Sequence, residues 1–176
     1  MDLYEGATLF LLNGSVVIVG GTFTDKGTGE SYSNTKIMKL YNEEYTEVGT
    51  GRAGNCADII TVGNDIYMIG GTLTTSYQLY KYTSSSDTWT KVTNAPTRNV
   101  HKGYKTAYSD GYIYLLGGTT FYVYDIYLDT WKTLASPTTS NTYHGMSVIG
   151  DYVYAFGGTA GANVSVYSIS QNTWIA

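Results

Sequence analysis

The chain has 176 residues, 10 basic against 14 acidic side chains, a formal net charge of -4 and no basic stripe, which excludes an ordinary nucleic-acid surface. About 70 per cent of the extended surface of a chain this long can be buried, enough for one domain, and 21 Gly, 19 Tyr and two prolines point to short strands rather than helices. No apolar run approaches the roughly 18 residues of a membrane span, the opening MDLYEG is not a basic-then-apolar leader, and the single Cys56 excludes an internal disulfide without fixing a compartment.

In chain order, the first marked strand is SVVIVGGT, Ser15 to Thr22, ending in Gly20 and Gly21. The longest loop follows, Thr22 to Ser33, carrying Asp25, Lys26, Glu30 and Tyr32. Next comes LYNEEYTEV, where Tyr45 follows Tyr41 so closely that a tight hairpin is expected. The second strand is DIYMIGGT, Asp65 to Thr72, with Gly70 and Gly71; Tyr82 and, seven positions later, Trp89 lie downstream. The third is YIYLLGGT, Tyr112 to Thr119, with Gly117 and Gly118, then Tyr124 and Trp131. The fourth is YVYAFGGT, Tyr152 to Thr159, with Gly157 and Gly158, then Tyr167 and Trp174. The first glycines are 50, 47 and 40 residues apart, too far for a helical hairpin repeat and right for a four-stranded blade. Alternation such as Ile66, Tyr67, Met68, Ile69 sets a period of two. Each Tyr-to-Trp segment ends in Asp or Asn and then Thr, a polar turn between two strands; Tyr45 stands in the first repeat where Trp would.

The glycine pair, the Tyr and the later Trp, repeated in that order from about Gly6 to Ile175, resemble the kelch repeat. The resemblance implies an all-β fold, a β-propeller built of four kelch-type four-stranded blades, in one domain over residues 1–176 with blades at about 6–48, 53–92, 101–134 and 143–175. A strand-end glycine admits positive φ and leaves room for an aromatic ring, and Tyr67, Tyr114 and Tyr154, with Val17 in the first repeat, are expected to fill it. Trp89, Trp131 and Trp174 are expected to be mostly buried packing residues between blades. Kelch rings mostly hold about five to seven blades, so four blades either close by themselves or belong to a larger ring completed by a second copy or by further repeats. In the latter case the flanks of blades one and four would present apolar surface.

Antiparallel neighbours put the loops between second and third strands on one face with the links between blades, and the remaining turns on the other. The first face has the longer loops and is where binding is expected; the kelch resemblance implies the same surface, with a protein or peptide as partner. Its candidate ligand-binding residues are Arg52 and Arg98, whose guanidinium groups suit a carboxylate, Asp25 and Tyr32 on the long loop, and Asn55, His101, Asn141 and Tyr143 beside the first strands. A glycan is the alternative ligand, on an extracellular or virion adhesin, with Tyr32, Tyr77, Phe121 and Tyr143 as stacking candidates. His101 and His144 begin comparable strands and could face each other across a channel, although histidine bonded to backbone is the simpler reading. No GxSxG elbow appears, Cys56 in GNCAD reads as a small residue of a first strand, and no metal-ligand spacing stands out. No catalytic residue, metal or cofactor is therefore assigned, and a kelch-type sugar oxidase or isomerase is the residual enzymatic alternative. No nucleic-acid or membrane partner is expected, and the compartment stays open between cytoplasm and an extracellular or virion surface.

Overall fold

The computed structural model describes residues 3–5, 8–12, 14–19, 22–25, 27–33, 36–41, 44–50, 56–70, 77–98, 100 and 103–175. These residues form strands and turns, with one short 3-10 turn at Gly158–Ala160. Among them no helix is long and apolar enough to cross a membrane. The strands are β1 Leu3–Glu5, β2 Thr8–Leu12, β3 Ser15–Val19, β4 Thr22–Thr24, β5 Ser31–Ser33, β6 Lys36–Tyr41 and β7 Glu44–Thr50. They continue as β8 Cys56–Val62, β9 Asp65–Gly70, β10 Gln78–Thr83, β11 Thr88–Asn94, β12 Lys105–Ser109, β13 Tyr112–Gly117, β14 Thr120–Asp125 and β15 Thr130–Thr133. The last are β16 Gly145–Ile149, β17 Tyr152–Phe156, β18 Val164–Ser168 and β19 Thr173–Trp174. Four antiparallel four-stranded sheets result, β2-β3-β6-β7, β8 to β11, β12 to β15 and β16 to β19, each a blade.

A fifth sheet was not foreseen. The long loop of blade one folds into the hairpin β4-β5, and β4 also pairs with β1, Tyr4 opposite Phe23 and Phe23 opposite Tyr32. Asp25 closes that hairpin: its carboxylate accepts the backbone N–H groups of Gly27 (2.7 Å) and Thr28 (3.1 Å), the self-bonding turn for which short acidic side chains are suited. The longest loop of the sequence is thus a small sheet, because TFT and SYS can pair backbone to backbone across the turn.

The period of two decides which residue faces which neighbour. Between blades one and two, Val17, Val19 and Ile37 pack against Ile59, Ile66, Met68 and Tyr82. Between two and three, Tyr67, Ile69 and Leu79 meet Ile113, Leu115 and Tyr124. Between three and four, Tyr114, Leu116 and Phe121 meet Val153, Ala155 and Tyr167. In every blade the residues three and one before the glycine pair face forward, and those four and two before it face backward. The inner strands pack in the order β2 with β8, β8 with β12 and β12 with β16.

The Tyr-to-Trp segment performs a task the sequence reading did not see. The residues before its Thr, Asp87, Asp129 and Asn172, have φ of 49°, 52° and 48°, a left-handed conformation that Asp and Asn tolerate best after glycine. Each also accepts the hydroxyl of the tyrosine five positions earlier: Tyr82 to Asp87 at 2.9 Å, Tyr124 to Asp129 at 2.7 Å, Tyr167 to Asn172 at 2.6 Å. Burial and then that hydrogen bond push the Tyr82 hydroxyl up to about 12, so it stays a donor. In blade one the hairpin is tighter, as expected, and Tyr45 pairs with Leu40, so Leu40 rather than Tyr41 holds the tyrosine place.

One packing expectation needs correction. The ring that crowds the glycine pair of blade three is Tyr104, which a Cβ on Gly117 would strike; Tyr114 points to the neighbouring blade instead. The three tryptophans are more covered than exposed and pack against the clusters between blades, as expected. They sit on the outermost strand of each blade, where a tyrosine covers one side of the indole, with ring centroids 5.2, 5.1 and 5.5 Å apart.

Candidate functional site

The link from blade three to blade four and the two adjacent loops form one bonded unit. Asn141 exchanges both backbone hydrogen bonds with Gly118, at 2.7 and 3.0 Å. Its side-chain amide donates to the carbonyl of Gly157 (2.9 Å) and its Oδ1 accepts the backbone N–H of Ala160 (3.1 Å). Thr142 and Thr159 then bind each other three times, Thr159 N–H to the Thr142 carbonyl at 2.9 Å, Thr142 N–H to Thr159 Oγ1 at 3.0 Å, and hydroxyl to hydroxyl at 3.3 Å. Gly158, at φ 81°, permits the approach, since a Cβ there would meet Asn141 Oδ1 and the Thr142 carbonyl at 2.5 Å. Asn141 is therefore buried and bonded to the loops, and it orders the face.

Tyr143 follows with φ 58°, rare for a bulky residue, and donates its N–H to the Gly103 carbonyl at 2.8 Å. Its side chain is exposed, so a strained backbone holds an aromatic ring out on the loop face. His144, next along, is buried, and among the described residues neither ring nitrogen has a hydrogen-bond partner. Burial, followed by the charge of Lys105, lowers its pKa to about 4, so the ring is neutral at pH 7. Lys105 pairs with Asp58 at 3.4 Å, and Asp58 also accepts from Thr106 N–H and Oγ1 at 2.7 and 2.9 Å. That carboxylate staples the inner strands of blades two and three beneath the loops.

Arg98 lies on the same face, exposed in the link between blades two and three, with its guanidinium 5.4 Å from the centroid of the Tyr77 ring. Tyr77 is held in turn by its carbonyl, which accepts Ala95 N–H at 2.6 Å.

At the opposite end of blades three and four an apolar cleft of about 420 Å³ opens among Tyr112, Tyr114, Leu128, Leu134, Tyr167 and Ile169. A second hollow beside it, about 320 Å³, is lined by Asp110, Tyr112 and Asp151. Sequence reasoning placed binding at the other face because its loops are longer; the exposed Leu128 and Tyr127 of the tight turn at 126–129 are the only signal that this end is open.

The kelch motif matches residues 140–176, the whole of blade four with Gly157, Gly158, Tyr167 and Trp174. Blade four thus carries a kelch motif. It is similar over 93% of its length to Kelch-like protein 36 of Bos taurus, at 23% identity, and over 85% to Kelch-like protein 36 of Mus musculus, at 24%. Those alignments cover 30% and 26% of the relatives, so the chain spans less than a third of the length of the curated proteins it matches.

Of the residues singled out for binding, the structure brings Asn141 and Tyr143 together, joins Tyr143 to the link that carries Arg98, and puts Asp25 away in its own hairpin turn. Tyr32 lies in β5. Arg52, Asn55 and His101 lie outside the described residues, as do Gly20, Gly21 and Gly71. Phe121, a candidate for stacking on a sugar, is wholly buried between blades three and four. Thr142 and Thr159 were missed; the available signal was the Thr that follows every glycine pair.

Proposed function

We propose that this kelch-repeat protein is a non-enzymatic module that binds a protein or peptide through the loop face of blades two to four. The observation that carries the reading is the preorganised surface around Asn141, which presents exposed Tyr143 and the Arg98–Tyr77 stack on bonded loops. Little ordering entropy remains to be lost there on binding, and Tyr and Arg are the side chains that anchor interfaces most often. The similarity to Kelch-like proteins supports a protein-interaction role. Arg98 adds a positive charge to that face, which suits an acidic or C-terminal carboxylate on the partner.

Panning a random peptide library on the immobilised protein tests this. Peptides enriched on wild type are expected to carry a carboxylate and to lose at least about tenfold in affinity with Arg98→Glu or Tyr143→Ala, with the melting temperature nearly unchanged. Leu128→Ser in the opposite cleft serves as the comparison. Binding that survives both loop substitutions and disappears with Leu128→Ser moves the site to the other end and defeats the reading.

A further inference from the structure

The tyrosine three positions before the glycine pair faces a lysine in blade two and a valine in blade three. In blade two Lys81 pairs opposite Tyr67 across β9 and β10. Its ammonium stands 5.8 Å from the centroid of the Tyr67 ring, a cation–π distance, and 2.6 Å from the carboxylate of Asp65, two residues before that tyrosine. In blade three the same register puts Val123 opposite Tyr114 and Tyr112 in the place of Asp65. Val123 is short, and it lines the cleft of about 420 Å³.

Tyr114 is 4% exposed. Its hydroxyl enters none of the hydrogen bonds among the described residues, whereas those of Tyr82, Tyr124 and Tyr167 each donate to a turn residue. A buried hydroxyl of this kind calls for a partner from outside the fold. Tyr114, Tyr112 and Ile169 form the wall shared by the cleft and the adjoining hollow of about 320 Å³. Burial first, then Tyr167, Tyr112, and the charges of Asp110 and Asp151, push the Tyr114 hydroxyl up to about 12. Its hydroxyl end therefore lies towards the two acids of the hollow. Hydrogen bonds led by that of Ser170 hold the Asp151 carboxyl below its ordinary range. Among the residues lining the hollow no base offsets Asp110 and Asp151. Farther out in the cleft Asp125 and Lys132 stand diagonally across β14 and β15, one of each sign. The walls are pinned, since Ile126 N–H bonds the Gly111 carbonyl at 3.0 Å and Ile169 N–H the Asp151 carbonyl at 2.8 Å.

We propose that this cleft binds a small organic ammonium compound, with its protonated amine at Asp110, Asp151 and the Tyr114 oxygen and its apolar body among Leu128, Leu134 and Ile169. Blade two already shows the combination of ammonium, tyrosine and carboxylate within the chain. Blade three supplies the tyrosine and the carboxylates, and the ligand supplies the ammonium. The cleft volume falls in the range of small-molecule sites, roughly 300 to 1,000 Å³, and exceeds what one lysine side chain of a partner would fill.

Titrating the isotope-labelled protein with 2-phenylethylammonium at pH 7 and about 50 mM salt, followed by backbone amide resonances, tests this. The dissociation constant is expected at about 1 mM or tighter, with the largest shifts at Tyr112, Leu128, Asp151 and Ile169. The anion 3-phenylpropionate, of similar shape, should bind at least about tenfold more weakly. Asp110→Asn and Tyr114→Phe should each weaken the ammonium at least about threefold. Tyr114→Phe should also leave the melting temperature unchanged or raised, because the lost hydroxyl has no bond to a described residue. Val123→Lys, which rebuilds the blade-two arrangement, should remove binding; if it fails to melt cooperatively, the Asp110 and Tyr114 variants carry the comparison. Arg98→Glu should leave ammonium binding intact, which keeps this result separate from that of the loop face. No saturation by about 10 mM, equal binding of the two probes, or full affinity in both Asp110→Asn and Tyr114→Phe would each overturn the site. Tighter binding of an acetylated glycine-lysine-glycine amide than of 2-phenylethylammonium would overturn the small-molecule assignment in favour of a partner's lysine.

Discussion

His144 gives the protein a predictable acid sensitivity. In the folded chain its ring is buried without a hydrogen-bond partner among the described residues, and burial first, Lys105 second, lower its pKa from 6.5 to about 4. In the unfolded chain the ring returns to its ordinary value. Between those two values the unfolded state binds a proton that the folded state does not, so falling pH drives unfolding; the contribution is intact above about 6.5 and is lost progressively as pH drops towards 4. Each pH unit in the window is worth about 1.4 kcal/mol, so moving from pH 7.5 to 5 should cost about 2 kcal/mol. Urea unfolding at intervals over that range measures it, since ordinary carboxylates titrate mostly below the window. The His144→Gln variant, whatever its stability at pH 7.5, should show a flatter profile by about that amount. Equal slopes for wild type and variant, or a folded-state His144 resonance that titrates near 6.5 by NMR, would refute the reasoning.

Two further substitutions test the packing. Phe121→Ala removes a wholly buried ring that contacts Tyr114, Tyr167 and Trp174, and should lower unfolding free energy in urea by about 3–5 kcal/mol; a loss under about 1 kcal/mol would mean the blade three to four interface is not packed as described. Asp129→Ala removes both a left-handed turn residue and the acceptor of the Tyr124 hydroxyl, costing about 2–4 kcal/mol, whereas Asp129→Gly keeps the turn and should lose only the hydrogen-bond share of about 1–2 kcal/mol. Finding the glycine variant as damaged as the alanine one would show that the turn conformation contributes nothing.

The repeat could be read from the sequence because it is local: a glycine pair, a Tyr, an Asp or Asn, a Thr and a Trp at fixed spacings define each blade, and strand alternation alone separates forward from backward residues. The motif even contained the Tyr-to-Asp hydrogen bond, five positions apart, although only the geometry revealed it. The loop face was legible as a region but not residue by residue. Asn141 looked like a ligand residue, yet a polar side chain in a link serves whichever neighbour lies nearest, and here that is the backbone of Gly157 and Ala160. Tyr104 displaced Tyr114 as the ring over Gly117 because the two come from different strands, and nothing in one strand's sequence records what crosses it. The hairpin β4-β5 depended on β1, some twenty residues earlier in the chain.

What the sequence determined by itself is the blade: its length, its four strands and the faces it must cover, all fixed by backbone periodicity and turn chemistry within about fifty residues. What only the tertiary structure decided is which of those faces find a partner. Phe156 and Phe121 occupy apolar strand positions of the same forward face, and their difference in exposure comes from the presence of a following blade in one case and its absence in the other. Burial belongs to the pair of surfaces and is not a property of either strand alone.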